Sequence, residues 1–162
     1  MSEKDGGSTG TSKVIVAIAG CGLLALVAAF CGGIFAAIAV PNYVAMQQAK
    51  RAKVPSNVDG IKTALLAYDA AFDGFVEQST PHPRAVSDLT EAPVPWLNGS
   101  SFDTLGWAPF GDVRGTYWVE VQADGEDFVV HGLCDVDEDG DPAHYTATKS
   151  INATLITPMD TY

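Results

Sequence analysis

From Val14 to Val40 the chain runs for 27 residues without one charged side chain. The stretch is built of Val, Ile, Ala, Leu, Phe, Gly and Cys. At about 1.5 Å per residue a helix of this length reaches roughly 40 Å, enough to cross a hydrocarbon core about 30 Å thick. Lipid offers the backbone no hydrogen-bond partners, so a segment crossing it is expected to be helical. A chain of 162 residues has room for one modest domain besides. Such a domain is too small to cover so long an apolar rod. The expectation is a single transmembrane helix over 14–40, preceded by a short disordered polar tail over 1–13 (MSEKDGGSTGTSK).

The apolar run is about twice as long as the core of a cleaved secretory signal. A competing pattern lies inside it. Ile18-Ala19-Gly20-Cys21 has the form of a lipobox, which would make Cys21 a lipidation site. The 19 apolar residues after Cys21 would then be redundant as an anchor. Lys4 and Lys13 flank the span on one side, and Lys50, Arg51 and Lys53 follow at a distance on the other. Basic residues at such a boundary can meet lipid head groups.

Charge divides sharply along the chain. Up to Lys53, five basic residues stand against Glu3 and Asp5; beyond it, Lys62, Arg84, Arg114 and Lys149 stand against 18 acids. A domain this acidic repels nucleic acid, so nucleic-acid partners are excluded. Of the three cysteines, Cys21 and Cys31 lie in the apolar span and Cys134 is alone beyond it. No disulfide can close within the C-terminal domain, and Cys134 reads as a buried free thiol.

Pro41 follows the span at once and kinks or interrupts the helix there. The helix formers of PNYVAMQQAKRAKV carry it onward. Pro55 marks a second interruption, and Ser56 with Asp59 offers a capping signal. Val58, Ile61, Leu65, Tyr68, Phe72 and Phe75 then recur at spacings of three and four, one apolar stripe on an amphipathic helix. Asp59, Lys62, Asp69 and Asp73 mark the polar face. The amphipathic helix is expected over 41–78, continuing the anchor.

Residues 79–115 are dense in Pro, Gly, Ser and Asp and form a connecting loop, with a short helical turn near Arg84–Leu89. Trp96, Phe102, Trp107 and Phe110 suggest that this loop packs down. Strand signals fill 116–162. Thr116–Gln122 alternates polar and apolar residues, Asp124-Gly125 makes a tight turn, and Asp127–Cys134 returns. His144–Ser150 reads as a third strand and Asn152–Thr157 as a short fourth. The fold class expected is α+β: a long N-terminal helix, transmembrane then amphipathic, packed on an antiparallel sheet of three to four strands.

Chemistry-bearing patterns are few. Asp135, Asp137, Asp139 and Gly140 match the opening of an EF-hand-type calcium loop, with carboxylates two apart and a glycine in sixth place. Thr146 occupies the twelfth place, where a bidentate Glu would complete the loop. A solvated acidic hairpin is the plainer reading, so calcium is a candidate cofactor only. A zinc set of His131, Cys134 and His144 is disfavoured, because His131 and Cys134 stand three apart on one strand and face opposite ways. Arg114 reads as a residue holding the loop to the sheet. No nucleophile elbow, phosphate loop or metalloprotease motif is present, so the chain reads as non-enzymatic.

Ala36-Ala37-Ile38-Ala39-Val40-Pro41-Asn42-Tyr43 resembles the segment of type IV pilins in which the hydrophobic helix meets its first proline. Ala49–Lys53, Asn57–Ala64 and Tyr68, then Leu105–Pro109 and Tyr117, resemble pilin-like proteins of delta-proteobacterial type. The chain lacks the polar leader of prepilins, and Leu24 or Ala25 stands where they carry a Glu. The resemblance implies a lollipop-shaped pilin or pseudopilin. Its N-terminus would be cytoplasmic, its single span in the bacterial inner membrane, and its head periplasmic or, once assembled, on an extracellular filament. The partners implied are the membrane and other pilin-like subunits, met through the N-terminal helix. The function implied is assembly in a type IV pilus or type II secretion system. The alternatives are a membrane-tethered binding or sensing module using the acidic loop, and a lipoprotein acylated at Cys21.

Overall fold

The computed structural model describes residues 42–162; the tail over 1–13, the span over 14–40 and Cys21 lie outside the described residues. Residues 42–51 are helical, the ladder breaks at Ala52, and helix α1 runs Lys53–Phe72. The break precedes Pro55 by three residues. A proline has no N–H to offer the carbonyl four residues earlier, so the fault in the ladder falls upstream of the ring. Pro55 itself sits in the first turn of α1, where its missing donor goes unused. The N-cap is Ala52 rather than Ser56, and no side chain caps it. Asp73, in the left-handed conformation (φ 55°), closes α1 with its backbone N–H donated to the Asp69 carbonyl.

Five strands follow: β1 Gln78–His82, β2 Thr116–Val121, β3 Phe128–Cys134, β4 Ala143–Thr148 and β5 Thr154–Leu155. They form one antiparallel sheet in sequence order. The fold is α+β, one helix on one face of a five-stranded sheet. The strand beyond the expected three to four is β1, which takes Gln78 from the expected helix, already ended at Phe72, and the rest from the start of the segment read as loop. It pairs irregularly with β2, with a register shift between Gln78 and His82. Proline content hid this strand, but an edge strand tolerates Pro81 because only one side of it needs donors. The β2–β3 hairpin turns as expected, with Gly125 at φ 73° and its N–H donated to Gln122 O at 2.8 Å.

Alternation along the strands separates the two faces of the sheet. Tyr117, Val119, Phe128, Val130, Cys134, Ala143, Tyr145 and Ala147 turn toward α1. The helix answers with Val54, Val58, Ile61 and Leu65, each no more than 1% exposed. Burying aliphatic side chains of this size is worth about 1.5–3 kcal/mol apiece. The apolar stripe holds through Leu65 and then fails. Tyr68 is half-buried, and Phe72, the last residue of α1, is 69% exposed. Phe75 rejoins the core beyond the helix, edge-on to Phe128. Cys134 is a buried free thiol, and burial pushes its pKa up to about 12, so it is unreactive.

Three charged residues read as solvated work inside the fold. Lys62 is 7% exposed and donates to Asn152 Oδ1 at 2.9 Å. Asp59 Oδ1 accepts the Ala153 N–H at 2.7 Å, so the polar face of α1 pins the turn before β5. Arg51 does not point outward to head groups. Its guanidinium donates to the carbonyls of Met159 and Thr161 and lies over the Tyr162 ring.

The segment between β1 and β2 packs down as its aromatics suggest. Phe102 is fully buried, with Trp96 and Trp107 against it at ring separations of 5.5 and 5.7 Å. Gly60 on α1 admits Trp107, since a Cβ there would stand 2.8 Å from the indole nitrogen. Phe110 is the exception, at 97% exposed. The expected helical turn is a single 3-10 turn, Val86–Asp88. Arg114 serves the loop itself, donating from Nε to the Glu91 carbonyl at 2.9 Å.

Candidate metal centre

The acidic run fills the connection between β3 and β4, closed at its base by the Cys134–Ala143 pair. Eight residues must reverse the chain here, and two adopt positive φ: Glu138 at 59° and Gly140 at 89°. Asp135 organises the turn. It is 6% exposed, its Oδ1 accepts the Glu138 N–H at 2.7 Å and its Oδ2 accepts the Gly140 N–H at 3.1 Å. Asp139 Oδ1 accepts the Asp141 N–H at 2.9 Å. These are ordinary Asx-type bonds that stabilise a turn without any ion.

Asp137 departs from that pattern. Its Oδ1 is buried and makes no hydrogen bond. Its carboxyl pKa is raised, chiefly by desolvation and then by repulsion from Asp139 and Asp135. One carboxylate oxygen each from Asp135, Asp137 and Asp139 lies within 4.8 Å of the others, so the three residues singled out in the sequence do converge. Three hard oxygens at such spacing suit a calcium ion, with carbonyls and water completing the shell. Glu138 points elsewhere and accepts the Glu91 N–H at 3.1 Å. An open groove of about 550 Å³ adjoins the loop, lined by Val86, Leu89, Thr90, Asp135 and Glu138.

The match to an EF-hand stops at the loop's first half. Thr146 lies within β4, paired with His131 of β3, and strands rather than helices flank the loop. Any ion held here would take its ligands from a β-hairpin.

The disfavoured zinc set divides as its spacing requires. Cys134 faces α1 in the core, whereas His131 lies on the opposite face of the sheet. The pairing of β3 with β4 nevertheless brings His144 to that same outer face, with His131 Nδ1 and His144 Nε2 3.0 Å apart. Strand parity showed that His131 and Cys134 separate; the approach of His144 depends on register, which parity alone does not give.

No protein-family model, no curated protein and no solved structure matches the chain. No helix among the described residues is long and apolar enough to cross a membrane; residues 14–40 are not among them.

Proposed function

We propose that the chain is a non-enzymatic, membrane-anchored pilin-like subunit or accessory protein of a type IV pilus or type II secretion-like filament. The observation that supports this reading is the order of solvents along its N-terminal half. A 27-residue charge-free stretch is followed, past Pro41, by a helix that buries Val54, Val58, Ile61 and Leu65 against an antiparallel sheet. A rod that is greasy all round and then greasy on one face suits a subunit held in the inner membrane with its head in the periplasm. The AAIAVPN segment adds the resemblance to type IV pilins. Packing of apolar helices against sister subunits would then build the filament core.

Cell fractionation followed by shearing tests the proposal. The chain is expected in the inner-membrane fraction, released only by detergent, with its head open to protease added to the periplasm and a portion recovered in sheared filaments. A chain that is soluble without detergent, or a head protected in the cytosol, overturns it. Acyl labelling that disappears in Cys21→Ser would favour the lipoprotein alternative instead.

A second reading, a tethered sensing module with a calcium-binding loop, is favoured by the buried oxygen of Asp137 that makes no hydrogen bond. Ligand binding to the folded state raises stability by mass action. Millimolar calcium is therefore expected to raise the melting temperature of the wild-type protein by a few degrees, and Asp137→Asn to abolish the rise. In chelator the same variant should be no less stable than wild type, since it removes a desolvated charge repelled by Asp135 and Asp139. An unchanged melting temperature with calcium removes the second reading.

A further inference from the structure

We propose that His131 and His144 form a binding site for a borderline divalent transition-metal ion, zinc(II) or copper(II), on the sheet face opposite α1. This site is separate from the acidic loop and does not depend on the pilin-like reading.

Two imidazole nitrogens face each other across 3.0 Å, His131 Nδ1 and His144 Nε2. Only one of them can carry a hydrogen in that contact. The other presents its lone pair, and a shift of tautomer turns both lone pairs inward with no net loss of protons from the neutral rings. Imidazole nitrogens bound at about 2.0–2.1 Å around a tetrahedral ion stand roughly 3.3 Å apart. The rings therefore need to open by only a few tenths of an ångström.

The surroundings favour that state in three ways. First, His131 Nε2, which would then carry the hydrogen, is buried and has no hydrogen-bond partner. Glu120 Oε2 stands 3.8 Å from it, within reach of a small side-chain shift. A carboxylate behind a metal-bound imidazole fixes its tautomer and raises its basicity. Second, Glu120 is itself held, because the Trp118 indole N–H donates to its Oε1 at 3.0 Å. Third, the Trp118 ring stacks on His131 at 4.5 Å with the planes 5° apart, so the imidazole is fixed before any ion arrives. Burial also holds both histidines below their ordinary pKa, the direction that favours the neutral, ligating form. Access comes from the His144 side, which lines an open cavity of about 490 Å³ with Asp141 and Thr157. Water entering there would supply the remaining ligands.

Borderline ions such as zinc(II) and copper(II) suit imidazole, whereas calcium prefers carboxylate oxygen. The two sites should therefore sort ions by type. The test is calorimetric titration of zinc chloride into the tag-free, full-length chain in detergent. One equivalent is expected to bind in the wild type and in Asp137→Asn. His131→Gln and His144→Gln should each weaken binding at least tenfold, and Glu120→Gln about tenfold. No zinc binding by the wild type, or undiminished binding in either histidine variant, overturns the proposal, as does loss in Asp137→Asn alone. A second measurement needs no histidine variant. Copper(II) should quench tryptophan fluorescence, and Trp118→Phe should remove most of the quenched signal, since that indole lies on His131. Equal quenching in Trp118→Phe, carried by Trp96 and Trp107, overturns the assignment.

Discussion

Replacing Phe102 with alanine is expected to destabilise the folded head by about 3–5 kcal/mol, the range for removing a fully buried aromatic ring. Its side chain is 0% exposed, with Trp96, Trp107 and His82 as ring neighbours. Those rings come from β1 and from the segment that follows it. One of them, His82, is itself held, with its Nε2 2.7 Å from the Leu97 carbonyl oxygen. Chemical denaturation read by tryptophan fluorescence and circular dichroism would measure the loss, and the melting temperature should fall by on the order of 10 °C or more. Phe110→Ala is the control. That ring is 97% exposed, and its removal should change stability by no more than about 0.5 kcal/mol. A Phe102→Ala protein within about 1 kcal/mol of wild type would mean that the proline-rich segment is a surface loop and not part of the core.

Gly132→Ala is the second large expected effect, with the opposite cause. Gly132 lies on β3 beneath the first turns of α1. A Cβ there would stand 2.5 Å from Val58 Cγ2, 3.0 Å from Val54 Cγ1 and 3.2 Å from Tyr117 Cδ1. No open space is available, so helix and sheet must separate or the valines must leave their rotamers. Overpacking of this kind typically costs about 1–3 kcal/mol. The diagnostic is a double-mutant cycle with Val58→Ala. The valine substitution alone leaves a cavity, whereas in the double variant the new methyl fills part of it. The combined loss should therefore be smaller than the sum of the single losses, a coupling expected between side chains in contact. Strictly additive losses would show that α1 does not rest on β3 at this point.

Both substitutions concern the one buried core that α1, the sheet and the proline-rich segment share, and the two candidate sites stand on what that core leaves free. With one face of the sheet committed to α1, the other carries Trp118, Glu120, His131 and His144 side by side. The acidic connection lies at the end of the β3–β4 hairpin, where chain reversal and charge crowding meet. Asp135 is spent on holding the turn, and Asp137 is left with the least compensated oxygen. Hydrogen bonds from the backbone thus hold the turn through Asp135, while Asp137 retains an oxygen an ion could use.

Periodicity makes much of the head legible in the chain itself. Spacings of three and four gave α1 and its buried Val58, Ile61 and Leu65; alternation and Asp124-Gly125 gave β2, β3 and the turn between them. These features depend on neighbours a few residues away, and local sterics and the side-chain period are written in the chain itself. The extent of the stripe was not so written, because whether Phe72 is buried depends on which distant segments pack against the end of α1. β1 was hidden for a related reason: an edge strand needs a partner on one side only, so QSTPH can pair with β2 despite its proline. Asp59, Lys62 and Arg51 looked solvated because nothing local shows that residues about 90 to 110 places later will arrive to meet them. The acidic triad was visible as a motif because its members are two apart. The histidine pair was not, because His131 and His144 meet through the register of two strands. The sequence by itself determined the charge-free stretch over 14–40, the amphipathic helix and the strand-rich head; tertiary structure alone decided which polar groups the head buries and which imidazoles it joins, since those contacts depend on sheet register and on the distant segments packed around it.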